Sequence, residues 1–255
     1  ESVDKTDLLL IPTIGGDPIE VLKNNVELLA HIRKHYSLGA DIASNCSGAF
    51  FLAQAGILDK RMATTHWGYA DLFRQLYPNV NLHIDRMITV QDNIFCSGGG
   101  MAWFDLALLL IERYAGHDIA TTTAKAHVID LSRGDQSAYA SLRTKKYHQD
   151  VEILAVQQWL EEHFAQKVVV DTLCEKVNLT SRTFVRRFKR ATEQSPLAYL
   201  QGVRVEAAKK HLEASTHSVE RIVNLVGYDD LSSFTRLFKK HTGLSPSQYG
   251  KKFRR

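Results

Sequence analysis

Residues 181–199, SRTFVRRFKRATEQSPLAY, return fifty positions later as residues 231–249, LSSFTRLFKKHTGLSPSQY. Phe184, Arg186, Phe188, Lys189, Thr192, Ser195, Pro196 and Tyr199 are matched by Phe234, Arg236, Phe238, Lys239, Thr242, Ser245, Pro246 and Tyr249, and Arg190 by Lys240. Upstream of the phenylalanines the offset is 49, pairing Leu173 with Ile222 and Val177 with Val226. The second copy therefore carries one extra residue in its turn. Self-similarity at a fixed period marks a repeated unit. Two copies are too few for a solenoid and imply a duplicated module within one domain.

Each copy reads as helix, short turn, helix. In the first, Val169, Leu173 and Val177 lie four apart on one apolar face, Asn178-Leu179 breaks the pattern, and Thr180 or Ser181 caps a new helix. Phe184 and Phe188 then face inward and leave Arg182, Arg186, Arg187, Lys189 and Arg190 outside. In the second, Ile222, Leu225 and Val226 form the face, Gly227 permits a left-handed residue, and Asp229 or Asp230 caps. Phe234, Leu237 and Phe238 point in; Ser232, Ser233, Arg236, Lys239 and Lys240 point out. A tight turn followed by a basic helix is the helix-turn-helix arrangement, whose second helix enters the major groove. Ser195-Pro196 opens the helix between the copies, expected to run to Ala214. At ~1.5 Å per residue it spans about 27 Å. That suits two recognition helices roughly one DNA turn, about 34 Å, apart.

This stretch resembles the DNA-binding domain of AraC/XylS-type transcription regulators, over roughly Asp150–Phe253. The resemblance rests on Arg187-Phe188-Lys189, Ser195-Pro196, Arg204 with Ala207-Ala208 and Leu212, Val226-Gly227-Tyr228, the run Phe234–Lys240, and Thr242-Gly243-Leu244-Ser245-Pro246. The first copy departs from it at Glu193, where the second has Gly243.

With 255 residues there is room for two domains. A 44% hydrophobic and 24% charged composition is that of an ordinary globular chain. From Asp150 onward 18 Lys and Arg stand against 12 Asp and Glu, a net of +6; the remainder carries −2. The basic half is the repeated half, as meeting phosphates requires. Cys46, Cys96 and Cys174 are odd in number and lack metal spacing, so no disulfide framework, metal or cofactor is expected, and a cytoplasmic location is. No apolar run approaches a membrane span.

The chain before Asp150 alternates strands and helices. Asp7–Ile11, Asp41–Ser44, Met62–Thr65, Leu82–Ile84, Met87–Val90 and Ile94–Ser97 read as strands. Helices are expected at Ile19–His35, Ala49–Ala55, Tyr69–Tyr77, Ala102–Tyr114 and Ile119–Val128. This predicts an α/β fold with a partial doubly wound, flavodoxin-like parallel sheet, followed by an all-α domain with two helix-turn-helix motifs. Domain boundaries are expected at 1–132 and 150–255, with 133–149, which lacks periodicity, as linker.

Asn45-Cys46-Ser47-Gly48, between strand and helix, reads as an elbow that lifts a thiol above the sheet, beside a helix N-terminus that favours the thiolate. His66-Trp67 ends a neighbouring strand, and Gly15-Gly16 follows the first strand at the same crevice. These segments, with Leu52–Leu58, Ala63–Trp67 and Asp105–Leu108, resemble the PfpI-like branch of the class I glutamine amidotransferase-like superfamily. They are closest to the version fused to AraC-type domains. Relatives usually have Gly two residues before the nucleophile, where this chain has Ser44, and an acidic partner from an earlier strand–helix unit. The resemblance implies about 50–60 further residues ahead of Asp7, so an N-terminally truncated domain is expected.

The function expected is sequence-specific DNA-binding transcription regulation by a non-enzyme, with an elbow crevice of Gly15, Gly16, Asn45, Cys46, Ser47, His66 and Trp67 for a small, nitrogenous effector. The alternative is a cysteine hydrolase or amidase acting through Cys46. Arg182, Thr183 and Arg186, and Leu231, Ser233 and Arg236, are expected at base edges, with Ser232 also at the DNA. Arg187, Lys189, Arg190, Lys239 and Lys240 are expected at phosphates. Double-stranded DNA, the effector, a second copy in a homodimer and RNA polymerase are the expected partners.

Overall fold

The computed structural model describes residues 3–131, 133, 135–140 and 148–254. The chain divides into two compact units, Glu1–Ser137 and Ala138–Arg255.

The first unit contains β1 (Leu8–Ile11), α1 (Pro18–Asn24), α2 (Val26–Ser37), β2 (Asp41–Asn45), α3 (Ala49–Gln54), β3 (Met62–Ala63), α4 (Ala70–Leu76), β4 (Asn81–Leu82), β5 (Ile88–Gln91), β6 (Ile94–Ser97), α5 (Ala102–Ala115) and α6 (His117–Ala126). Four strands form one sheet in the order β1-β2-β6-β5. β1 and β6 both run parallel to β2, pairing Leu9 with Ile42 and Ser44 with Cys96. Alternate residues of each strand meet opposite layers. Ile42, Ile94 and Cys96 pack with α2, α3 and α4, whereas Ala43 and Phe95 pack on Leu106 and Leu110 of α5. The result is a helix–sheet–helix sandwich.

Three expectations change here. β5 runs antiparallel to β6, since the Asp92-Asn93 turn is too short for a crossover. The expected strand near Leu82 pairs with β3 in a separate two-stranded ribbon. The helix expected over Ile19–His35 breaks at Asn25, whose side chain donates to Val21 O at 2.8 Å and whose backbone leaves helical geometry. Asn competes for helix backbone in this way.

The second unit is helical: α7 (Val151–His163), α8 (Val170–Lys176), α9 (Ser181–Thr192), α10 (Pro196–Ala214), α11 (Val219–Leu225), α12 (Leu231–Thr242) and α13 (Pro246–Phe253). Thr180, Ser195, Ser218, Asp230 and Ser245 each cap the helix that follows them. α10 serves two cores. Tyr199, Leu200 and Val203 pack with Phe184 and Phe188; Val205, Ala208 and Leu212 pack with Phe234 and Phe238. Arg204 joins the copies, donating to Phe164 O at 2.8 Å and Gln166 O at 2.9 Å while lying over the Tyr228 ring. In α11, Val223 rather than Leu225 turns inward; Leu225 is 39% exposed.

The expected linker is partly corrected. Arg133 forks onto the Asp105 carboxylate and donates to Met101 O, and Gln136 is buried, so 133–137 belongs to the first unit. Its polar partners lie on distant segments, and periodicity carries no trace of such pairing. Residues 134 and 141–147 of that linker lie outside the described residues. Among the described residues no helix is long and apolar enough to cross a membrane.

Candidate nucleic-acid interface and effector crevice

The helix-turn-helix turns differ by one residue. In the first copy, four residues separate α8 from α9, with Asn178 at φ 49°; in the second, five separate α11 from α12, with Gly227 at φ 81°. Asn and Gly are the residues that take this left-handed region most readily. Gly227 is also fixed by space, since a Cβ there would lie 2.5 Å from Ala165 O.

α9 and α12 present their residues alike. Phe184, Phe188 and Thr192, and Phe234, Phe238 and Thr242, are buried, each threonine hydroxyl bonding its own helix at 2.8 Å. On α9, Arg182, Arg186, Lys189 and Arg190 are exposed, and among the described residues none of these four side chains has a hydrogen-bond or ion-pair partner. Thr183 is half-buried and its hydroxyl accepts from Thr180 Oγ1 at 3.0 Å. On α12, Leu231, Ser232, Arg236, Lys239 and Lys240 are exposed. Ser233 donates its N–H to Asp230 Oδ1 at 2.8 Å and accepts from Arg236 Nη2 at 3.3 Å. The Ser233 hydroxyl, followed by its backbone N–H, holds the Asp230 carboxyl below the usual range.

Arg187 has a different role from the expected phosphate contact. It grips Asp150 through Nε at 2.6 Å and Nη2 at 2.9 Å and also pairs with Glu152. Its counterpart is Leu237, which packs on the second core. This helix position faces the protein, and Arg187 spends its fork holding α7 to α9.

In the first unit the elbow is strained: Cys46 takes φ 54° and is buried. Such outliers cluster at functional sites. Gly48 lets the loop after β1 come close, since a Cβ would lie 2.6 Å from Pro12 O. Ser47 Oγ accepts from Ile14 N at 3.0 Å and donates to Ile14 O at 2.9 Å. Asn45 Nδ2 donates to Thr13 Oγ1 at 2.7 Å and its Oδ1 accepts from Ser97 Oγ at 2.9 Å. Thr13 and Ile14, rather than the exposed Gly15 and Gly16, thus carry the bonds to the elbow. Thr65 Oγ1 donates to Cys46 O at 2.7 Å. The His66 Nδ1 accepts from Gly68 N at 2.9 Å, and its ring lies 4.8 Å from that of Trp67. Burial pushes the Cys96 thiol up. Burial, followed by the nearby Asp171 charge, does the same for Cys174.

Sequence reasoning missed Thr13, Ile14, Thr65 and Ser97 as hydrogen-bond partners of the elbow. Apart from Gly48, whose bareness signals a close approach, nothing in their spacing marks them.

Two family descriptions match the chain: the DJ-1/PfpI family over residues 2–113 and a helix-turn-helix domain over residues 173–252. The chain joins a DJ-1/PfpI domain to an AraC-type helix-turn-helix domain. The elbow lies in the DJ-1/PfpI domain; α9 and α12 lie in the helix-turn-helix domain. Relatives whose match spans most of this chain include the HTH-type transcriptional regulators CdhR and GbdR of Pseudomonas aeruginosa. CdhR is 26% identical over 97% of this chain and 73% of its own length; GbdR is 25% identical over 91% and 63%. The HTH-type transcriptional regulator GlxA of Rhizobium meliloti is 25% identical over 91% of this chain and 71% of its own length.

Proposed function

We propose that this chain is a transcription regulator that reads DNA with α9 and α12 and senses a small, nitrogenous metabolite in the elbow crevice without catalysing its conversion. The observation that carries the reading is the uncommitted row Arg182, Arg186, Lys189 and Arg190 on a helix whose other face is fully buried. Arg forks match guanine edges, and free cations at the helix end match phosphates. Arg236, steadied by Ser233, supplies the second fork. A homodimer in the cytoplasm that also meets RNA polymerase completes the reading. Selection from a random duplex pool by the full chain is expected to yield a two-part consensus. The logarithm of affinity should fall with that of salt by about 0.9 per phosphate contacted. No enrichment, or binding indifferent to salt, contradicts it.

The strained Cys46 supports a second reading, a thiol hydrolase. It requires iodoacetamide to modify Cys46 faster than a free thiol; an equal or slower rate removes it.

A further inference from the structure

Gln136 is the one long polar side chain of the segment 135–137 that is fully buried, at 2% exposure. Its Nε2 donates to Thr65 O at 2.9 Å, Thr64 Oγ1 at 3.1 Å and Arg86 O at 3.2 Å, and its Oε1 accepts from Gly99 N at 3.2 Å. Its backbone N–H donates to Asp85 O at 2.8 Å. Gly98 is bare where this amide seats: a Cβ there would lie 2.5 Å from Gln136 Oε1. The partners lead directly to the elbow. Thr65 bonds Cys46 O, Gly99 lies against the His66 ring, and Ser97 bonds Asn45. Thr65, Gln136, Gly99 and Ser97 thus connect, through hydrogen bonds and chain neighbours, back to Asn45 and Cys46 of the elbow. Ser137 is the last residue of the first unit, and Ala138 begins the second.

We propose that Gln136 belongs to the effector crevice, contributed by the connector, and that it couples crevice occupancy to DNA binding. A ligand that moves Thr65 or the Gly98-Gly99 loop withdraws partners from the carboxamide, and the connector is unpegged two residues before the second unit begins. A buried amide that loses its partners carries a desolvation penalty, so the peg is held or released as a unit. This inference rests on the reading of the crevice as an effector site.

The test uses the full chain, its selected duplex, and two variants. Gln136→Glu turns an oxygen toward three acceptors; Gln136→Met keeps the length and removes the donors. Amide exchange over residues 135–140 is expected to quicken by about tenfold or more in both, with β2 and β6 protected as in the wild type. Duplex affinity should shift by about fivefold or more, a typical coupling, at unchanged salt slope. Unaltered exchange, or faster exchange with affinity within about twofold of wild type, overturns the proposal. Should exchange spread through β2 and β6, Thr64→Val replaces these variants. It removes one acceptor at nearly constant shape and must move exchange and affinity in the same directions; unmoved affinity overturns the coupling. A wild type that enriches no duplex overturns the regulator reading and the coupling with it. An enriched duplex to which the variants are indifferent overturns Gln136 alone.

Discussion

In the first helix-turn-helix copy, Phe188 stacks edge-on against Tyr199 at 5.6 Å, and Tyr199 donates to Glu161 at 2.6 Å; in the second, Phe238 meets Tyr249 at 5.4 Å, and Tyr249 donates to Glu213 at 2.7 Å. Burial and its acceptor carboxylate push both tyrosines well above their usual range. The inward faces are interchangeable. The outward faces are not: Arg182 is replaced by Ser232 and Arg190 by Lys240. The turn-closing residue differs too, Glu193 at φ 59° against Gly243 at φ 73°. Duplication retains what a core demands, while exposed positions diverge toward separate tasks.

The largest test strikes the shared part. Phe188→Ala and Phe238→Ala should each destabilise the second unit by about 3–5 kcal/mol, within experimental error of each other, in denaturant melts. A clearly smaller loss for one would show that the cores are not equivalent. Next come the turns. Gly243→Ala should cost about 1 kcal/mol, because only Gly takes a left-handed φ without penalty. Glu193→Gly should gain less than that, since it also removes contacts that Glu193 makes. If the gain exceeds the loss, the first turn is the more strained of the two.

Arg187 and Arg190 separate structure from DNA contact. Arg187→Leu, which installs the second copy's residue, should lower the unfolding midpoint by leaving Asp150 and Glu152 unpaired, with the salt slope of DNA binding unchanged. Arg190→Ala should leave the midpoint alone and reduce the slope by about 1. A reduced slope for Arg187→Leu would restore it as a phosphate contact.

The smallest effect concerns pH. His241 stands where the first copy has Ala191. Burial, with Lys240 and Lys209 nearby and opposed by Glu206, holds its pKa below the ordinary 6.5. The unfolded chain then binds the proton more readily, so stability is present above pH 6.5 and falls as pH drops below it. His241→Ala should flatten that decline in melts between pH 7 and about 5.5; an unchanged decline would place its origin elsewhere.

The repeat made the helical unit readable, because caps, glycine and apolar spacing are local signals that tertiary packing did not override. Thr180, Ser195 and Asp230 cap where those signals point, and α10 ends at Ala214. The strand–elbow–helix around Cys46 was legible for the same reason. Illegible were features set by long-range pairing. The Arg187–Asp150 fork and the Gln136 peg join residues far apart in sequence without periodicity. Arg187 in particular looked like a surface cation until its partner at the start of α7 was in place.

Because α9 carries Arg182 where α12 has Ser232, we propose that the two recognition helices are unequal, with α9 taking most of the base readout. The most direct measurement is the affinity of Arg186→Ala and Arg236→Ala for the selected duplex and for single-base variants of it. Arg186→Ala should lose about 1–3 kcal/mol of discrimination at its base pair, the size of one bidentate contact, and Arg236→Ala distinctly less. Equal losses, or a larger loss for Arg236→Ala, would contradict the account.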